Sequence, residues 1–447
     1  MRDFSKIPKF AGICTMEEAC RVGIPVDDNV ELLKRYNYIK TKLYDVMVKH
    51  MNRTPEWEVK LGMSLHIWLD AEHVSAIRQR VAEMREPPLH LDKVPDPRLE
   101  ALMNEVIYAQ STIELLTGVY AVIRPALLAA YGEHLQRTNP LADHPTCRML
   151  KWIAMEEETM IQWGQAALDA LVATDEDRKA ADEWKRHLSA YLQAAGGVSG
   201  KENHPDAPLP APRATKPYEP DFVPKRDERF SDLLNSVLSA DELYLDKTRD
   251  AKERTWALLY KRLREIDVPE MQCSIVAQTP GKPWEYYHDM GRQIWDEARH
   301  SMMGQVAFEQ NGVDWTKLPI RINFSLELNT MLTPQERHAI LYDIEFGLMP
   351  GNTGKKYEWE TSKEAQYDLA VTFHDHDWAD EVLHAQIGRK WIVSEIGGVQ
   401  ETIDVAKKAW KKLEENRPQY PADDPDWWKH FYDQVKDLDL TVHNNKR

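Results

Sequence analysis

Two five-residue segments carry the same chemistry. One is Asp296-Glu297-Ala298-Arg299-His300, the other Asp380-Glu381-Val382-Leu383-His384. Residues three apart on a helix share a face. Glu297 with His300, and Glu381 with His384, therefore each aim a carboxylate and an imidazole in one direction. A single Glu-x-x-His arises by composition alone, and Glu285 with His288, at a helix start, is read that way. Two copies of the longer pattern, both mid-helix, are not explained so simply. A di-metal centre inside a bundle takes a Glu-x-x-His from each of two helices and one Glu from each of two more. Asp296 and Asp380 can then orient the two rings from behind. Antiparallel geometry supplies one lone Glu. The turn centres near Gly281, so Glu265, 16 residues before it, faces Glu297, 16 residues after it. Glu270 is the runner-up.

The elements that must position these residues are helices. Apolar residues recur at i, i+3, i+4 and i+7 over 30–51, 55–84, 99–131, 145–172, 230–278, 284–309, 334–348 and 366–393. Alternating β-branched runs and Asn-Gly or Asp-Gly hairpins are almost absent, so the chain reads as all-α. Thr54-Pro55 and Thr333-Pro334 pair a capping residue with Pro at the first helical position, and Pro283 follows the Gly281 break in the same role. Pro125 and Pro269 fall inside helical patterns and predict kinks.

With 447 residues the chain exceeds one ordinary core and predicts two domains or three. A net charge of −16 argues against nucleic-acid or anionic-membrane binding. Four Cys with no CxxC pair, no signal-peptide pattern and no 18-residue apolar run predict a cytoplasmic protein that does not span a membrane. Pro-rich, apolar-poor residues between 196 and 229 read as a linker. The expected boundaries are 1–200, a linker over 201–226, a second domain over 227–418 and a tail over 419–447.

The two halves resemble each other. At an offset of 227, Lys34-Arg35 falls on Lys261-Arg262, Trp57-Glu58 on Trp284-Glu285, Ile67-Trp68 on Ile294-Trp295 and His73 on His300. At an offset of 224, Gln162 falls on Gln386 and Gly164 on Gly388. This order of two Trp, a His and a Lys-Arg pair predicts an internal duplication. The first copy is worn: Tyr38 stands for Glu265, Asp70 for Glu297 and Met160 for His384, leaving His73 and Glu157 as standard ligands. A thioether is a poor ligand for a hard, oxygen-rich site, so the first copy is expected to be metal-free or weakly binding.

With its DEARH and DEVLH segments the second half resembles the ferritin-like di-iron carboxylate superfamily, well over 230–393 and as a worn copy over 30–172. The resemblance implies tandem ferritin-like four-helix bundles joined by the Pro-rich linker, with the first degenerate. It implies two iron ions, or manganese and iron, held by Glu265, Glu297, His300, Glu345, Glu381 and His384. Glu345 is chosen because it lies 36 residues before Glu381, near the family's separation, in the apolar context LYDIEFGLM; Glu336 and Glu327 stay open. The implied activity is that of an O2-activating oxygenase or oxidase acting on a small organic substrate. No flavin, haem or iron–sulfur motif is present, so electrons are expected from a separate reductase. A monomer or small homo-oligomer is expected. The Gly-containing residues 350–363 are expected to form a mobile cover. The alternatives are a ferroxidase or iron-handling protein and a helical scaffold with a structural metal.

Overall fold

A computed structural model describes residues 2–85, 91–201, 208–231, 233–234, 240–351, 353–421, 424 and 426–440. The expected linker over 201–226, tail over 419–447, cover over 350–363 and helix over 230–278 each fall in part outside these residues. Among the described residues every regular element is helical, in a bundle-like arrangement. Chain contacts divide the molecule into two compact units. Unit 1 is Met1–Met47 with Leu69–Glu219, and unit 2 is Val48–Trp68 with Pro220–Arg447. Residues 48–68, assigned by sequence to the first domain, thus group with the second.

Local chemistry sets the helix ends. The Pro334–Gly347 helix opens with the expected cap: Thr333 accepts from the Glu336 N–H, and the Glu336 carboxylate reaches back to Thr333. Thr54 does something else. Its Oγ1 donates to the His50 carbonyl, so it closes the Val26–His50 helix, and the next helix, Trp57–Ala82, starts two residues beyond Pro55. Pro283 is the residue before the Trp284–Gln310 helix, one short of the expected position, after Gly281 turns the chain at φ 82°.

The predicted continuous helix over 230–278 is broken into Ala240–Tyr244, Ala251–Arg264 and Asp267–Ala277. Pro269 explains the last break. It has no N–H for the carbonyl four residues back, which is that of Glu265, and its ring crowds that carbonyl. Glu265 closes the upstream helix instead, with its carbonyl accepting from Val268. Pro125 does not break its helix. A π-helical turn, Thr117–Ile123, ends two residues before it and shifts the local hydrogen bonding where the Pro125 N–H is missing.

Unit 1 packs around Leu33, Leu43, Leu116, Leu127, Leu150 and Trp184. Its Thr112–Arg137 stretch is long and apolar enough to cross a membrane, yet 67% of its most apolar window is buried in the protein, as in a core helix. Unit 2 packs around Trp256, whose ring lies 5.3 Å from Phe308 and 5.9 Å from Phe431. Phe431 belongs to the Trp427–Val435 helix, so part of the expected tail is core.

Unit 1 buries His134, and unit 2 buries His338 apart from the carboxylate clusters. Burial holds His134 and His338 down at about 4, against about 6.5 in an unfolded chain. The neutral rings favour the folded state. That stability is full above pH 6.5 and is lost as pH falls through 4, on the order of 3 kcal/mol per ring. Urea unfolding should therefore show stability dropping over this window, and His338→Phe should reduce but not abolish the drop in unit 2, because burial also holds His374 at about 4. An unchanged profile would refute the assignment.

Candidate metal centre

Four segments of unit 2 converge. The Ala251–Arg264 helix ends at Glu265, Trp284–Gln310 carries Glu297 and His300, Pro334–Gly347 carries Glu345, and Asp368–Gly388 carries Glu381 and His384. Glu297, Glu345, Glu381 and His384 bring ligand atoms within 4.8 Å of one another, and Glu265, His300 and Asp377 do the same. Glu297 lies between the groups, its oxygens 3.5 Å from His300 Nδ1 and 3.1 Å from His384 Nδ1. All six residues named from sequence are thus brought together. The alternatives lie elsewhere. Glu270 pairs with Arg226 and Lys60, Glu336 serves its cap and Lys412, and Glu327 pairs with Arg417 at 2.8 Å.

Both rings present Nδ1 to the carboxylates and are held by Nε2. His300 Nε2 donates to Asp380 at 3.2 Å, and His384 Nε2 to Asp296 at 3.3 Å. The arrangement is crossed: each Asp holds the ring of the other helix. Arg299 and Arg292 anchor Asp296 in turn, and Arg299 also donates to Asp380 at 2.8 Å. His300 Nδ1, His384 Nδ1, Glu265 Oε2 and Glu381 Oε2 are buried without a hydrogen-bond partner. Gln293 steadies Glu345, donating to Oε1 at 3.0 Å.

The charges are strongly coupled. Burial lifts the Glu345 carboxyl well above its ordinary range, and Glu381 and Glu297 lift it further. Burial raises Glu265 to about 7 against the pull of Arg262 and Lys355. Burial also works on Glu381, but Lys355 overcomes it and holds that carboxyl well down. His300 rises to about 10: burial opposes its charge, and Asp377, Asp380 and Glu297 outweigh it. Protons on these rings and on Glu345 are what a bound metal ion displaces.

Sequence reasoning missed three participants. Lys355 is fully buried, with Nζ 2.8 Å from both Asp377 and Glu381. It opens a helix, Lys355–Glu364, in the stretch expected to be a mobile cover, and Glu358, Thr361 and Ser362 of that helix are buried too. That packing replaces the expected hinge. Arg262 pairs with Asp377 and, at 2.7 Å, with Glu265. Asp377 had a signal, since it precedes Glu381 by four residues and shares its helical face.

In unit 1, Asp70, His73 and Glu157 also converge, but cations already occupy the place between them. Lys40 bridges Asp70 and Glu157, and Arg124 reaches Asp70 at 2.7 Å and Glu157 at 2.9 Å, with all four side chains fully buried. His73 Nε2 bonds Glu156 at 2.7 Å. A shared contact relates Arg124 to Glu345. A Cβ on Gly164 would lie 2.1 Å from Tyr120, and one on Gly388 2.6 Å from Tyr342, so both positions need Gly. Glu345 follows its Tyr by three residues. Arg124 follows its Tyr by four, across the π turn that carries an extra residue.

A scan of protein-family models, a search of curated proteins and a search of solved structures each find no significant match to this chain.

Proposed function

We propose that the chain consists of tandem ferritin-like bundles and that the second holds a non-haem di-iron, or manganese–iron, centre that activates O2 to oxidise a small organic substrate. The observation that carries this reading is the pair of buried Nδ1 atoms, neither making a hydrogen bond, that face four glutamates at 3.1–3.7 Å. Arg262 and Lys355 contact Glu265 and Glu381, and the protonated rings of His300 and His384 contact them as well; unlike Lys and Arg side chains, those rings can give up their protons to metal ions. In unit 1 the two central carboxylates meet two cations and balance already.

When bound, two adjacent iron ions supply electrons to O2. The chain's own residues do the rest. Glu297, within reach of both rings, would serve both ligand groups, and Asp296 and Asp380 hold the two imidazoles with Nδ1 toward the carboxylates. Burial of the ligands keeps water from the reacting centre. Lys355 holds a proton at Nζ beside Asp377 and Glu381. Electrons for turnover come from a separate reductase.

The test is anaerobic Fe(II) loading of the full chain, metal analysis and O2 consumption. About two ions per chain and roughly one O2 per ion pair, with no mineral formed, are expected. Continued iron uptake far beyond the two ligand groups would decide for iron storage. Metal binding with no O2 consumption would decide for a structural site.

A further inference from the structure

We propose that Asp377 is a seventh protein ligand of this centre, completing the ion held by Glu265 and His300. The proposal rests on the di-metal reading above. The two ligand groups are unequal without it. His384 has Glu345 and Glu381 for itself and Glu297 shared, whereas His300 has Glu265 for itself and Glu297 shared. Asp377 makes them equal: one imidazole, two carboxylates of its own and one shared.

Geometry favours Asp377 over a bystander role. Its Oδ1 is 3.3 Å from His300 Nδ1, closer than Glu265 at 3.6 Å or Glu297 at 3.5 Å. His300 Nδ1 and Glu265 Oε2 are both buried there without a hydrogen bond, 3.6 Å apart, so their lone pairs are left for an ion once the ring gives up its proton. Asp377 has one turn of helix to Glu381 and a second to His384, placing all three on one inward face. Its carboxylate is also fixed from outside. Arg262 donates to Oδ1, and Lys355 donates to Oδ1 at 2.8 Å and Oδ2 at 2.9 Å. Such charged partners orient a ligating carboxylate as second hydrogen bonds orient a ligating His. On metal binding Oδ1 turns to the ion, and Lys355 keeps Oδ2.

The direct test is a crystal structure of the Zn2+-loaded full-length chain with anomalous data. Asp377 Oδ1 is expected about 2.0–2.2 Å from the ion that also binds Glu265 and His300. Two ions bound with Asp377 still on Arg262 and Lys355 would overturn the proposal and leave the centre standing; no ion would overturn the centre itself. In solution, Asp377→Asn keeps the shape and removes the charge. Titration with Co2+ should show one of two binding steps weakened by roughly 100-fold or more, beyond the loss of a residue that only steadies a ligand, with the visible spectrum of that ion changed. Both steps unchanged, or both weakened alike, would assign Asp377 to packing. If Asp377→Asn does not fold, the Zn2+ structure of the unaltered chain decides.

Discussion

His384→Ala is expected to lower the metal content of the dialysed, Fe(II)- or Zn2+-loaded chain from about two ions to one or fewer, with His300→Ala alike and His73→Ala without effect. His384 Nδ1 is the only nitrogen in the group with Glu297, Glu345 and Glu381, so its loss leaves three carboxylates and a weaker, all-oxygen site. The fold should survive. Asp296 keeps Arg292 and Arg299 when the ring is gone, and the apolar face at Ala370 and Ile387 is untouched. Circular dichroism should therefore be unchanged while metal analysis shows the loss. His73 differs because Lys40 and Arg124 hold its neighbouring carboxylates. Equal metal loss in His73→Ala and His384→Ala would end the claim that the units differ.

The largest stability effect is expected in unit 1. Arg124→Ala leaves Asp70 and Glu157 fully buried with Lys40 as their single cation. Breaking a buried pair by removing one partner costs about 3–5 kcal/mol, because a charge is stranded in low dielectric. Urea unfolding should show that loss without any change in metal binding by unit 2. A loss below about 1 kcal/mol, typical of exposed pairs, would mean that water reaches the cluster. His73 Nδ1, buried without a partner, gives this variant a second readout, since it should begin to bind Zn2+ weakly once the guanidinium is gone.

Much of the candidate site is legible in the sequence because ligands come at helical spacing. The two Asp-Glu-x-x-His copies place four candidate ligands through i, i+3 geometry, whereas the crossing, by which each Asp holds the ring of the other helix, appears only once the helices are docked. Glu265 follows from hairpin arithmetic, although the helix meant to carry it stops there; Pro269 was visible, but its effect on the Glu265 carbonyl depends on local backbone geometry. Lys355 and Arg262 were hidden for another reason. A buried cation has no periodic signature, and Lys355 sits after Gly354 in a stretch whose Gly content reads as a loop. Arg124 was hidden because an extra residue in a π turn shifts register, and ungapped comparison of the halves cannot see a one-residue insertion.

The crossed holding of the two rings bears on the order of assembly. Asp380 can hold His300, and Asp296 can hold His384, only after helices far apart in sequence have met in register. A slip of one residue in either helix turns its Asp and its His about 100° away, and both rings lose their holders at once. In the docked frame both imidazoles already face the carboxylates, so an ion offered to the folded chain would meet rings held in place from behind.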